Sequence, residues 1–297
     1  MSKTSDSVRK AFKAGDDIRD AGLTTPDDIV RFDDIKYAED DECQKLDVYR
    51  PKDAGDKLLP VIVSVHGGGW VYGDKERYQY YCMSLAGRGF AVVNYTYRLA
   101  PEHKFPAPLE DENHVFHWVL NNKDEYHFDT GNIFAVGDSA GGQLLGLYSC
   151  LCTNPAYAEN FEFKAPDGFV PKAVGLNCGA YVIDMSEEGQ MKALMEDLLP
   201  DGGTEEEMGL VNVIPHITEN FPPAFFMTST GDFLKDQAPM LEKKLLEKSV
   251  PFVFRFYGDK DKNLPHVFHC NMRSEDARQC NDEECDFFRR FTGWSLR

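Results

Sequence analysis

Residues 132–142 read NIFAVGDSAGG and enclose Gly137-Asp138-Ser139-Ala140-Gly141, a G-x-S-x-G pattern. A serine on a sharp turn between a strand and a helix has its hydroxyl thrust clear of the backbone. That turn crowds the positions two before and two after the serine, so both must be tiny. Here both are glycine, and Gly142 further eases the packing of helix on strand. Ser139 is the candidate nucleophile for acyl transfer. Residues 66–70 read HGGGW, three consecutive glycines directly after an apolar run. Such a backbone folds tightly and points amides into a cavity, where they stabilise negative charge building on a carbonyl oxygen. Each pre-aimed donor is worth on the order of 10²–10³ in turnover. The amide of Ala140, next to the nucleophile and at a helix N-terminus, is a further candidate donor.

A serine nucleophile needs a base, and the base needs a carboxylate to orient it. On a strand–turn–helix scaffold of this kind they follow the serine in the order acid, then histidine. The histidines beyond Ser139 are His216, His266 and His269. His216 precedes the apolar run 224–228, ahead of any acid at the end of that run. His266 and His269, one loop beyond the last apolar run 252–257, are both open as bases on spacing alone. The run 224–228 continues into Ser229-Thr230-Gly231-Asp232, which puts Asp232 at the carboxyl edge of a sheet. Asp236 falls in the first turn of the next helix, where an acidic residue ordinarily partners the dipole. Asp232 is the preferred acid.

The elements that must hold these groups are legible as period and punctuation. Short apolar runs at 60–65, 90–95, 132–136, 173–177, 224–228 and 252–257 have the length of buried strands. Helical stretches at about 75–88, 107–122, 140–153, 234–248 and 275–291 lie between or after them. This alternation predicts an α/β fold, a largely parallel sheet covered on both faces. Residues 45–50 alternate polar and apolar, as an antiparallel edge strand does. The first forty residues hold a short amphipathic helix, with Val8, Phe12 and Ile18 loosely on one face, then an extended stretch at 31–37. One segment breaks the rhythm. About forty residues, 181–222, separate two strands and hold a helix at 185–199, ended by Pro200 and the turn 201–203. An insertion of this length predicts a lid. Four of the nine methionines, Met185, Met191, Met195 and Met208, fall within it, and this flexible side chain suits a site that accepts varied shapes.

Composition narrows the function classes. Fifty acidic residues against 32 basic give a net charge of −18, a field that repels nucleic acid and anionic membrane surfaces. The acidic runs at 39–42, 205–207 and 282–284 read as solvated faces and loops. No run approaches the ~18 apolar residues of a membrane span, so no membrane insertion is expected. Residues 1–17 carry no apolar core of a secretory signal, and the expected location is cytoplasmic. Eight cysteines without a C-x-x-C pair read as reduced thiols, mostly in the core. His114 and His117 have helical spacing for a metal but no accompanying ligands, so neither metal nor cofactor is expected.

Three motifs together resemble the hormone-sensitive-lipase-like family of α/β-hydrolases. They are His66-Gly67-Gly68-Gly69-Trp70; Tyr97-Arg98-Leu99-Ala100-Pro101-Glu102 followed by Phe105-Pro106; and Gly137 to Gly142, the family's GDSAGG. The resemblance covers roughly residues 45–290 and implies an eight-stranded sheet in a single domain, 1–297. It also implies a cap built from about 1–35 and the insertion after strand six, about 181–222. The oxyanion donors it implies are Gly68, Gly69 and Ala140, with His66 orienting the loop. Pro265-His266-Val267-Phe268 is similar to the family's His-x-Phe, which selects His266 as base over His269. Asp232-Phe233-Leu234-Lys235-Asp236 resembles its D-P-L-x-D, with Phe233 in place of proline, which loosens the turn and leaves the carboxylate.

The catalytic residues expected are Ser139, Asp232 and His266, with Trp70, Met185 and Met191 contacting substrate. The expected activity is hydrolysis of short-chain carboxylic esters through an acyl-enzyme, the partner being a small-molecule ester. A deacetylase of acetylated carbohydrates is the alternative within enzymes. From another class, the alternative is an inactive ligand-binding homologue, disfavoured because all three triad positions are filled. The family also contains homodimers formed through the last strand or helix.

Overall fold

The computed structural model describes residues 2–39, 42–186 and 188–293, so Asp40 and Asp41 of the acidic run 39–42 lie outside the described residues. The strands are β1 (Ile29–Lys36), β2 (Lys45–Pro51), β3 (Leu59–Val65), β4 (Ala91–Tyr95), β5 (Phe128–Asp138), β6 (Val174–Asn177), β7 (Ala224–Ser229) and β8 (Phe252–Tyr257). The helices are α1 (Lys3–Asp20), α2 (Lys75–Ala86), α3 (Ala107–Asn121), α4 (Ala140–Thr153), α5 (Pro155–Ala158), α6 (Gln190–Leu198), α7 (Glu205–Val211), α8 (Ala238–Glu247) and α9 (Glu275–Arg289). The strands form one sheet in the order β1-β2-β4-β3-β5-β6-β7-β8. β2 runs antiparallel to both its neighbours, and every other pairing is parallel.

Helices cover both faces, which is why the central strands read as continuous apolar runs. In β3, Val61, Val63 and Val65 join the core under α3, α4 and α8, while Ile62 joins the core under α2 and α9. The two faces are separate hydrophobic clusters divided by the sheet. Residues 45–50, expected at an edge, lie instead inside the sheet, and Leu46 to Arg50 are all buried. The polar members of the alternation are internally paired: Asp47 meets Lys75 at 2.9 Å, and Arg50 donates to the Tyr126 carbonyl at 2.5 Å. β1 takes the edge. A polar–apolar alternation signals a two-faced strand, but not that one face meets water.

Three further boundaries depart from the sequence pattern. Ile18 is 79% exposed, so α1 buries Val8 but not the whole of its apolar stripe. The helix expected at 185–199 begins only at Gln190, and a second helix, α7, follows it. The signal for α7 was readable as a capping box, Thr204 with Glu207. The stretch expected as helix from 234 opens as a 3₁₀ turn, Lys235–Gln237, and α8 starts at Ala238 with Pro239 inside its first turn.

Buried polar groups in this core make stability depend on pH. Glu284, on α9, is fully buried and accepts from Asn177 Nδ2 at 2.7 Å and Tyr81 Oη at 3.1 Å. Burial pushes its carboxyl from the ordinary 4.5 up to about 7. A carboxyl held protonated by the fold stabilises it fully below the unfolded value, and that stability is lost as pH rises through the folded value. Glu284 should therefore contribute a loss of on the order of 3 kcal/mol between about pH 4.5 and 7, opposed in the lower part of that range by the buried neutral imidazoles of His66 and His269. Glu284→Gln should remove this contribution, so the melting temperature of the variant relative to wild type should rise progressively from pH 4.5 to 7. An unchanged slope would show that the carboxyl is ionised in the folded state throughout.

Candidate active site

The loops after β3, β5, β7 and β8 all leave the sheet at its carboxyl edge, the edge where open α/β sheets bind ligands. β5 runs straight into Ser139, which opens α4 with φ +53° and ψ −119°, a conformation costly for a residue with a Cβ. Three backbone hydrogen bonds hold it there. Its N–H donates to the Asn177 carbonyl at 3.0 Å, and its carbonyl accepts from Gln143 at 3.1 Å and Ala180 at 3.2 Å. The neighbouring glycines are sterically required. A Cβ on Gly137 would stand 2.5 Å from the Gly141 oxygen, and one on Gly141 would stand 2.1 Å from the Val65 oxygen.

β3 leads into His66 and the glycine run. Gly68 adopts φ +131°, and a Cβ there would fall 1.9 Å from the Tyr72 carbonyl oxygen, so only glycine fits. Among the described residues, no protein acceptor takes the amides of Gly68, Gly69 or Ala140. These three donors are therefore available to a ligand. His66 is fully buried, stacked on Tyr97 with ring centres 4.0 Å apart, and burial pushes its pKa down to about 4. Being neutral, it donates from Nδ1 to the Gly67 carbonyl at 2.8 Å and braces the loop.

Two braces escaped the sequence reading, because each joins residues distant along the chain. The Tyr78 hydroxyl donates to Asp138 at 2.7 Å and accepts from the Gly67 amide at 2.9 Å, tying the glycine loop to the nucleophile turn. Gln143 accepts from Trp70 Nε1 at 2.9 Å and donates to the Val211 carbonyl at 2.7 Å, tying loop, α4 and insertion together.

The loops that follow β7 and β8 are held by a parallel bridge between Gly231 and Pro265. It brings Asp232 Oδ1 within 2.6 Å of His266 Nδ1. Asp232 also accepts from Thr228 Oγ1 at 2.6 Å and the Leu234 amide at 2.9 Å. Burial acts to raise the Asp232 pKa, but the His266 contact and these hydrogen bonds outweigh it, and the carboxyl stays below its ordinary value. Among the described residues His266 Nε2 is buried without a protein partner, and His266 lines the same cavity as Ser139. His269 is elsewhere. It is fully buried, with its edge towards Tyr81 and Nε2 facing Cys270 Sγ at 3.5 Å, and burial pushes its pKa down to about 3. His216 Nε2 donates to the Gly209 carbonyl on the insertion at 2.7 Å, and Asp236 is exposed on the 3₁₀ turn.

Two cavities meet at Ser139. One, ≈ 300 Å³, is lined by Gly69, Trp70, Ala180, Met191, Leu194 and Leu234. The other, ≈ 310 Å³, is lined by Asp16, Arg19, Tyr72, Tyr78, Asp138 and His266. Phe12 and Phe233 border both. Phe233, noted from sequence only as a missing proline, is 70% exposed and lies 4.3 Å from the His266 ring. α1 and α6 stand together over this edge, with Ser5 of α1 and its capping residue Ser2 hydrogen-bonded to Asp197. Of the insertion's four methionines, Met191 lines a cavity at Ser139. Met185 is brought against Gly203, Met195 is wholly buried, and Met208 packs on the core. Met185 therefore does not join Trp70 and Met191 at the cavity, because the chain stays irregular until Gln190. Neither His114 nor His117 falls in a group of three close potential metal ligands among the described residues; the two such groups, Asp138-His269-Cys270 and Cys178-Asp232-His266, lie in the buried surroundings of the site.

Comparison with known proteins places this geometry. The chain is 27% identical to versiconal hemiacetal acetate esterase of Dothistroma septosporum, over 71% of this chain and 66% of that protein. It is 35% identical to esterase LipC of Mycobacterium tuberculosis, over 46% of this chain and 34% of that one. The chain thus spans less than two thirds of the length of these curated relatives. In fold it is similar to esterase B from Lactobacillus rhamnosis, with a TM-score of 0.88, 24% identity, and coverage of 98% of this chain and 97% of that one. The profile of the family described as BD-FAE matches residues 46–266, well over half of the chain. That match takes in the glycine loop, the nucleophile turn, Asp232 and His266. The chain belongs to the BD-FAE family, within the hormone-sensitive-lipase-like branch of the α/β-hydrolases.

Proposed function

We propose that this protein is a serine carboxylesterase that hydrolyses short-chain acyl esters. The observation that carries the reading is the convergence at one sheet edge of a strained, partly buried Ser139, an Asp232–His266 pair at 2.6 Å and three amides unclaimed among the described residues. Ser139 Oγ attacks the ester carbonyl while its proton passes to His266 Nε2. Asp232, ionised, holds Nδ1–H and stabilises the imidazolium. The amides of Gly68, Gly69 and Ala140 take the oxyanion. Collapse of the tetrahedral intermediate transfers the His266 proton to the leaving alcohol and leaves an acyl-serine. Water, deprotonated by His266, then releases the acid and restores Ser139. An inactive binding protein would not modify itself, so covalent labelling of Ser139 by a fluorophosphonate tests the reading directly; an unlabelled, folded protein would overturn it.

The first cavity supports the acyl preference. About 300 Å³ holds roughly ten non-hydrogen atoms at liquid density, with walls of Trp70, Met191, Leu194 and Leu234. A series of aryl esters should show highest kcat/KM from acetyl to hexanoyl, and rates rising steadily beyond about ten acyl carbons would contradict this. Met191→Ala should shift that optimum. Met195→Ala, which removes a wholly buried side chain, should lower stability by about 2–5 kcal/mol and leave the profile in place.

Within the same proposal, α1 and the insertion 181–222 act as a cap over a single hydrolase domain. No helix among the described residues is long and apolar enough to cross a membrane. Cys82, Cys150, Cys152, Cys178, Cys270, Cys280 and Cys285 are free thiols, which supports the proposed reducing, cytoplasmic setting. A homodimer would form through β8, which lies at the end of the sheet and exposes Phe256.

A further inference from the structure

The two cavities at Ser139 differ in chemistry and in their distance from the proton donor. In acyl transfer the proton on His266 Nε2 goes to the leaving alcohol, so the alcohol oxygen must stand beside His266. His266 lines the second cavity, whereas Gly69, Trp70, Met191 and Leu194 line the first. Resting on the ester-hydrolase reading, we infer that the second cavity receives the alcohol and selects a polyhydroxylated one, read by Asp16, Arg19 and Tyr72.

The three side chains form a built wall. Arg19 Nη1 meets Asp16 at 2.9 Å, and the Tyr72 hydroxyl donates to the other Asp16 oxygen at 2.9 Å. Asp16 and Arg19 side chains are only 18% and 17% exposed, and burial raises the Asp16 pKa despite the arginine beside it. Arg19 is fixed from behind, where Nε and Nη2 donate to Asp20 and Nη2 also donates to the Arg77 carbonyl. Its Nη1 keeps a second hydrogen, Asp16 keeps unused lone pairs, and the Tyr72 oxygen keeps its own. The wall therefore both donates and accepts, as a row of hydroxyls does. A plain alkyl alcohol would cover these groups without replacing the water they lose. Sites built to hydrogen-bond a hydroxyl reject the analogue that lacks it. The supporting element is α1, whose position is fixed by Arg9, which donates to the Val71 carbonyl at 2.7 Å and the Ala100 carbonyl at 2.8 Å.

The test holds the acyl group constant and varies the alcohol. Glycerol 1-monobutyrate and 6-O-butyryl glucose are compared with propyl butyrate on the purified full chain. The wild type should favour at least one polyol ester by about tenfold or more in kcat/KM. Which of the two it favours identifies the source, a partial glyceride or an acylated sugar. Asp16→Asn and Tyr72→Phe should each cut the polyol-to-propyl ratio by about fivefold or more, the worth of a hydrogen bond. Because the ratio is measured within one preparation, a partly misfolded variant does not disturb it. A wild-type ratio of one or less for both polyols, or a ratio unmoved in both variants, would overturn the inference while the esterase reading stood. Absence of any butyrate hydrolysis with Ser139 unlabelled would instead overturn the reading on which it rests.

Discussion

Ser139→Ala should lower short-chain ester hydrolysis by about 10³-fold or more while the protein stays folded. The size follows from the role: without Oγ no acyl-enzyme forms, and what is left is water attack helped by the amides of Gly68, Gly69 and Ala140. The fold should tolerate the change because alanine keeps the Cβ that position 139 already accommodates at φ +53°, and no side-chain hydrogen bond of Ser139 props up the loop. Rates on an aryl butyrate and a thermal melt, from the same preparation, check both halves. Retention of most of the activity in a clean preparation would remove the nucleophile and with it the mechanism.

His266→Ala should lower turnover about as severely, because members of such a triad act as a unit. The contrasting variant is His269→Ala, three residues away. His269 lines neither cavity at Ser139 and is enclosed by Tyr81, Phe268 and Cys270, so its removal should cost stability by leaving a void and affect turnover far less. Turnover and melting temperature should therefore move in opposite patterns in the two variants. The reversed outcome, His269→Ala inactive and His266→Ala active, would transfer the role of base and leave Ser139 in place.

The legible parts of this protein were those whose physics is local. A strand two-thirds valine and isoleucine can only be buried, and a serine flanked at two residues on either side by glycine announces its turn, because the clash that demands glycine lies within the same few residues. The six apolar runs alternating with helices follow from the same kind of signal, whereas the count of eight strands came from the family resemblance. The departures are where a distant partner decides. Residues 45–50 look half solvated, yet Lys75 and the Tyr126 carbonyl satisfy Asp47 and Arg50 inside the sheet. The methionines of the insertion share a composition, but only the register of α6 sends Met191 to the cavity and Met195 into the core.

By itself, the sequence determined the α/β class, the nucleophile turn and the glycine loop, since each rests on contacts between near neighbours along the chain. Spacing left His266 and His269 both open and only the family resemblance favoured His266; the tertiary structure supplies the physical reason, because the Gly231–Pro265 bridge between the loops after β7 and β8 brings His266 to Asp232 while His269 is buried. Tertiary structure alone divided the site in two, placing Asp16 and Arg19 of α1 beside a histidine some 250 residues away. Such a juxtaposition leaves no trace in spacing or period, because it is fixed by how α1 packs across the carboxyl edge of the sheet.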